Sequence, residues 1–208
     1  NEFLKSEFLT KLLKTLNKIH SFNFSKKLTD KKIYQNYTKK IFERKKDIGN
    51  HLNIDLAKNS FFKNLIKELE IYEKKNFGIQ GIIHGDPVFT NVFIEHGNTI
   101  KLIDPRGGQI KNFSIFGDIF YDYGKVLQSI FGYDHLITEK KLNEKTKVEL
   151  IECFEKIILN KWNKSRLAHI YLICSSHYLS LIPFHKKDLA RHFFNLSKKT
   201  FYFYKKLI

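Results

Sequence analysis

The sequence predicts an α+β fold, mainly helical, with one small antiparallel β-hairpin set between two groups of helices. Three observations lead there. Apolar residues recur at helical spacing before residue 76 and again after residue 118. Three short apolar runs lie between them. Most of the chain's 10 glycines and 3 prolines gather around those runs rather than inside the periodic stretches.

Taken in order, residues 2–22 carry Phe8, Leu9, Leu12, Leu13, Leu16 and Ile19 along one helical face. A second helix is predicted over 29–47, with Thr29 or Asp30 as its cap. The Asn-rich stretch 48–59, with Gly49, reads as a loop. Ser60 is placed to cap a third helix over 61–75, where Phe61, Leu65, Leu69 and Tyr72 recur and Gly78 acts as the stop. The apolar runs are 82–84, 92–94 and 100–103. The last two, joined by residues 95–99, read as a hairpin. Residues 105–117 read as a loop, and 118–131, 144–160, 164–182 and 187–206 as helices, with Pro183 dividing the last two.

A chain of 208 residues makes one domain or two small ones. Its composition, 42% hydrophobic and 15% aromatic, excludes a disordered chain. No run approaches the roughly 18 unbroken apolar residues of a membrane span, and no secretory signal opens the sequence. Cys153 and Cys174 form no C-x-x-C and no disulfide framework, which points to a reducing, cytoplasmic setting. The chain starts at Asn1 and has no methionine, so a piece of a longer protein is expected. The net charge of +16 invites a nucleic-acid reading. Against it, only Arg44, Arg106, Arg166 and Arg191 are arginines, and the lysines run along the whole chain as a solvated surface would.

The chemistry concentrates in the insert. Asp86 follows the first apolar run, Asn91 opens the second and Asp104 ends the third. If Val92–Ile94 pair with Ile100–Leu102, Asn91 and Asp104 meet at one end of the hairpin. A carboxylate and an amide oxygen together suit a hard cation such as Mg²⁺. Asp86, on the preceding loop, is then placed to accept a proton from a hydroxyl nucleophile. Asp and Asn also favour plain turns, the bland reading of the same residues.

The segment His84-Gly85-Asp86-Pro87-Val88-Phe89-Thr90-Asn91, followed by a strand pair and Ile103-Asp104, resembles the catalytic segment of the aminoglycoside phosphotransferase and choline kinase family. Asn91 lies five residues after Asp86, and Asp104 thirteen after Asn91, the offsets of the kinase catalytic Asp, metal-binding Asn and metal-binding Asp. Gly117-Asp118-Ile119-Phe120-Tyr121-Asp122 looks like the family's G-D-x-x-x-D segment, and Leu16-Asn17-Lys18-Ile19-His20 like the end of its L-x-x-L-H helix. The likeness covers residues 5–135 in order, with motif-level detail at 82–122.

The resemblance implies a C-terminal lobe of a protein-kinase-like fold over 1–208, acting as a phosphotransferase with Mg²⁺ and ATP, or another nucleoside triphosphate, and a hydroxyl-bearing sugar, amino alcohol or aminoglycoside. It implies Asp86 as catalytic base or hydroxyl-orienting carboxylate. Asn91 and Asp104 would hold the metal on the nucleotide phosphates, and His84, Gly85 and Asp122 would support the loop. The sequence departs from the family in two places. Pro105-Arg106-Gly107 follows Asp104, and two readings of Arg106 stand side by side: a contact to substrate or phosphate, or a salt bridge to Asp118 or Asp122. No Gly-rich β lobe precedes His84, so three readings of the N-terminal lobe stand: it lies upstream, it comes from a partner, or it is absent. A non-catalytic module that docks a partner or polyanion on its basic surface is the alternative function.

Outside the insert, His169, His177, His185 and His192 are too widely spaced to hold one ion and read as surface or groove residues. Cys174–His177 and Ser175-Ser176-His177 lack the orienting group of a catalytic triad. Trp162 and Tyr171 read as pocket lining or core. Phe201-Tyr202-Phe203-Tyr204 reads as part of a docked terminal helix before a membrane-surface one.

Overall fold

The structure is a computed structural model; it describes residues 5–22, 31–34, 36–95, 99–106 and 115–208. The elements are α1 (Ser6–His20), α2 (Thr38–Leu52), α3 (Ser60–Lys74), β1 (Gln80–Ile82), β2 (Val92–Glu95), β3 (Thr99–Leu102), β4 (Phe116–Asp118), α4 (Ile119–Ile130), α5 (Tyr133–Ile137), α6 (Glu144–Lys161), α7 (Lys164–Leu181) and α8 (Lys187–Leu207). Short 3₁₀ turns occupy Lys31–Tyr34, Phe89–Asn91 and Ile182–Phe184. The fold class is α+β, with two small antiparallel sheets, β1–β4 and β2–β3.

The chain forms two compact units, Asn1–Asp30 with Ile79–Asn163 and Lys31–Gly78 with Lys164–Ile208. In the first, α1 buries Leu9, Leu12, Leu13 and Leu16 completely and packs on α6, β1 and β3. The centre of this unit is α4, whose residues are buried on almost every side, the polar Asp122, Gln128 and Ser129 among them. Asn17 of α1 accepts hydrogen bonds from the Tyr123 hydroxyl of α4 and from Lys161 at the end of α6. Trp162 is half-buried and sits edge-on to Phe120 at 5.2 Å and to Tyr123 at 5.1 Å.

The hairpin has the expected register, Val92 opposite Leu102 and Ile94 opposite Ile100. Residues 96–98 of its turn lie outside the described residues. The first apolar run is displaced from its expected place. β1 spans Gln80–Ile82 and pairs with β4, Gly81 opposite Gly117, inside a stretch read from sequence as loop. Two glycines make this pairing close. A Cβ on Gly117 would strike the Ile83 side chain, and one on Gly81 would strike Ile119 and the His20 carbonyl. Residues 107–114 of the expected loop lie outside the described residues.

In the second unit α7 is the core helix, buried from Leu167 to Leu181, with α2, α3 and α8 packed on it. Ser175 and Ser197 exchange hydroxyl-to-carbonyl hydrogen bonds of 2.8 Å between α7 and α8. Phe201 and Tyr204 of α8 are buried, so this helix docks on its own unit, and Tyr171 stacks on Phe203 at 5.3 Å.

Several boundaries are corrected. A 3₁₀ turn and then α2 replace the single helix over 29–47, and α2 continues through Gly49 to Leu52, where left-handed Asn53 ends it. The proposed caps Thr29 and Asp30 lie outside the described residues. Asn59, not Ser60, caps α3 by accepting from the Phe62 amide. The chain turns at left-handed Asn76, ahead of Gly78. Helix α5 escaped the sequence reading. His169 and His177 are buried rather than surface residues, because α7 has no polar face for them to occupy. Among the described residues one helical stretch, Lys164–Phe184, is long and apolar enough to cross a membrane by length and composition, with 83% of its apolar window buried inside the structure. Serines and histidines interrupt it, so it contains no long unbroken apolar run.

Candidate active site

The first unit brings His84, Gly85, Asp86, Asn91, Asp104, Arg106 and Asp122 together. The loop after β1 and the segment after β3 are stitched to each other. The Arg106 amide donates to the His84 carbonyl at 2.8 Å, and the Ile103 amide to the Asn91 carbonyl at 3.0 Å. Gly85 has φ +84°, and a Cβ there would fall on the Arg106 carbonyl oxygen, so both backbone angle and space require glycine. Asp104 is also left-handed, at φ 55°.

Helix α4 holds this loop with a stripe of side chains at 118, 122, 125 and 129, one face of a helix. Asp118 caps α4 through the Phe120 amide and also accepts from the Ile79 amide, both at 3.1 Å. Asp122 is fully buried. Its Oδ2 accepts from the His84 amide and its Oδ1 from the Gly85 amide, each at 2.8 Å. The His20 Nε2 of α1 completes the set, 2.9 Å from Asp122 Oδ2. Lys125 Nζ lies 3.1 Å from Asp86 Oδ1, both side chains largely buried. Ser129 Oγ accepts from the Phe89 amide at 3.0 Å. Asp134 of α5 continues the series by accepting from the Thr90 amide at 2.9 Å. The loop is thus gripped nearly residue by residue from 84 to 90.

His84 Nδ1 accepts from the Asp86 amide at 3.3 Å. Burial holds this imidazole below its ordinary range, against the pull of Asp122 and Asp86. At neutral pH it is therefore an uncharged acceptor that orients the Asp86 backbone. For Lys125, burial acts downward and is the largest influence. The neighbouring Tyr121, Asp86 and Tyr133 together outweigh it and hold the ammonium above its usual value.

Asn91 ends the 3₁₀ turn, and its Nδ2 donates to the Asp86 carbonyl at 2.9 Å. That bond fixes the amide and leaves Oδ1 as its acceptor oxygen. Among the described residues no three His, Cys, Asp or Glu form a closed metal cage. Asn91 and Asp104 supply two hard oxygen donors, and Mg²⁺ commonly takes one or two protein ligands, filling the rest with water and phosphate. The donor set therefore fits that ion. Arg106 does not reach Asp118 or Asp122, the partners weighed from sequence. Its Nε lies 3.1 Å from Asp86 Oδ2 and a terminal nitrogen 3.9 Å from Asp104 Oδ2. The left-handed turn at Asp104 folds it back onto the loop.

Lys125, Ser129 and Asp134 were missed in the sequence, and His20 was noted only as the end of a motif. The signal for Lys125 was present, since it stands one turn after Asp122 on the same helix face. No protein-family profile, curated protein or solved structure matches the chain.

Proposed function

We propose that the chain is the C-terminal lobe of a small-molecule kinase of the aminoglycoside phosphotransferase and choline kinase type. It would transfer the γ-phosphate of ATP, or another nucleoside triphosphate, to a hydroxyl group. One observation carries the reading. Asp86 is held on a loop fixed by buried Asp122, beside Asn91 and Asp104. A turn-forming role alone gives no reason for a fully buried aspartate to grip two successive amides of that loop.

In this reading Asp86 orients the acceptor hydroxyl and takes its proton, which passes on to solvent. The acceptor oxygen bonds to the γ-phosphorus as the bond to the β,γ-bridging oxygen breaks, and the nucleoside diphosphate leaves. Asn91 Oδ1 and the Asp104 carboxylate would hold Mg²⁺, which when bound neutralises charge on the phosphates. Phe93 and Ile103, within two residues of these ligands in sequence, are exposed and would offer apolar surface to a flat base.

Calorimetric titration of MgATP into the chain tests the reading. Wild type is expected to bind, Asp104→Ala to lose binding, and Asp86→Asn to bind but release phosphate to water at least about 100-fold more slowly. Wild-type turnover in Asp86→Asn would remove Asp86 from its role.

A second reading, polyanion docking, is favoured by the charge distribution. The unit 31–78 with 164–208 has 21 basic and 7 acidic residues, whereas the other has 16 and 14.

A further inference from the structure

Both oxygens of Asp86 already face cations, Lys125 at Oδ1 and Arg106 at Oδ2, each at 3.1 Å. The Asp86 side chain is only 8% exposed, so an acceptor hydroxyl reaches its carboxylate through the space one of these cations now fills. Lys125 is only 14% exposed and cannot leave without stranding a charge. Arg106 is 67% exposed, and its other ion pair, to Asp104, is long at 3.9 Å. It is the group that yields. Its backbone stays tied to His84, so the displaced guanidinium remains beside the loop as a forked donor in want of an oxyanion.

Among the described residues the neighbouring carboxylates leave a cationic acceptor no partner: Asp104 is taken by the metal in this reading, and the one unpartnered oxygen, Asp134 Oδ2, is buried. Asp118, Asp122 and Asp134 are buried and hold backbone amides. An ammonium-bearing acceptor would set a third positive charge next to Lys125 and Arg106. An acceptor bearing a phosphate or carboxylate near its hydroxyl would meet the freed Arg106 with Lys125 behind it.

We propose that the acceptor of this site is an oxyanion-bearing alcohol, read by Arg106 and Lys125, and not a cationic amino alcohol or aminoglycoside. The inference rests on the phosphotransfer reading and narrows it.

The test loads the chain with Mg²⁺ and a non-hydrolysable ATP analogue, so that the γ-phosphate position is filled. Inorganic phosphate, acetate and choline are then titrated in turn by calorimetry. Phosphate or acetate is expected to bind in the millimolar range, and whichever binds identifies the oxyanion. Choline is expected to give no heat. Arg106→Gln, at an exposed position that folding tolerates, is expected to weaken the anion at least tenfold, and Lys125→Met to do the same where circular dichroism shows it folded. Choline binding more tightly than either anion, or anion affinity unchanged by Arg106→Gln, would overturn the proposal. Failure of the nucleotide analogue to bind would defeat the phosphotransfer reading alone. The same titrations on the nucleotide-free chain then decide the anion site, kept by Arg106-dependent binding and overturned by its absence.

Discussion

His169 sits between Tyr72, whose ring centre is 5.0 Å away, and Phe77, stacked at 4.7 Å. Burial and the nearby Arg166 push its pKa down to about 4. The unfolded chain titrates this group near 6.5. Above pH 6.5 the neutral ring contributes its full stability. As pH falls from 6.5 to 4 the unfolded state takes up a proton that the folded state refuses, and about 3 kcal/mol is lost. His169→Phe keeps the stacking and removes the proton. Urea unfolding at pH 7 and pH 4.5 is expected to show a smaller stability loss in the variant than in wild type; equal losses would clear His169 of the effect. The sequence located this histidine but misjudged its setting, because spacing along a helix reveals burial only when the helix has a polar face. Asp86, Asn91 and Asp104 were legible for the opposite reason. Their offsets are set by the loop and hairpin between them, which are short and written locally. For Lys125 the helix face was legible, one turn after Asp122, but its partner Asp86 is set by the packing of α4 on the loop.

At the scale of elements, α4 acts as a ruler for the loop before it. Positions 122, 125 and 129 meet residues 84–85, 86 and 89 in order. The grip is graded, since a buried carboxylate accepting two amides contributes more than a serine accepting one. Hydrogen bonds to charged groups stabilise by about 1.5–3 kcal/mol each, neutral ones by about 1. Asp122→Asn is therefore expected to destabilise by about 2 kcal/mol and to speed hydrogen exchange at the His84 and Gly85 amides. Ser129→Ala is expected to speed exchange at Phe89 while leaving those two unchanged. Uniform acceleration in both variants would mean that the loop opens as one piece and that α4 does not hold it residue by residue. The β1–β4 pair explains why the sequence reading faltered here. Each strand is only three residues long, and the contact depends on Gly81 and Gly117, residues that signal a loop when read singly.

At the scale of the molecule, the charge is divided between the two units. Of the net +16, the unit 31–78 with 164–208 carries +14 and the unit containing the candidate site +2. The sequence reading took the lysines as evenly spread because the more basic unit is assembled from two separated stretches, which average out along the chain. Like charges on one compact body repel, and that cost falls as salt shortens the screening length from about 30 Å at 0.01 M to about 10 Å at 0.1 M. The single tryptophan, Trp162, packs on Phe120 and Tyr123 in the other unit and reports its unfolding alone, whereas far-ultraviolet circular dichroism reports helices of both. Between 0.01 and 0.3 M NaCl the dichroism midpoint is expected to rise by several degrees while the tryptophan midpoint stays nearly fixed. A sulfated polysaccharide at low salt should reproduce the rise, because it supplies the same counter-charge in concentrated form. Equal shifts of both probes would show the units unfolding as one. No shift in either would show that the basic unit's lysines lie too far apart to repel, and would take with it the reason for reading that unit as a polyanion-docking surface.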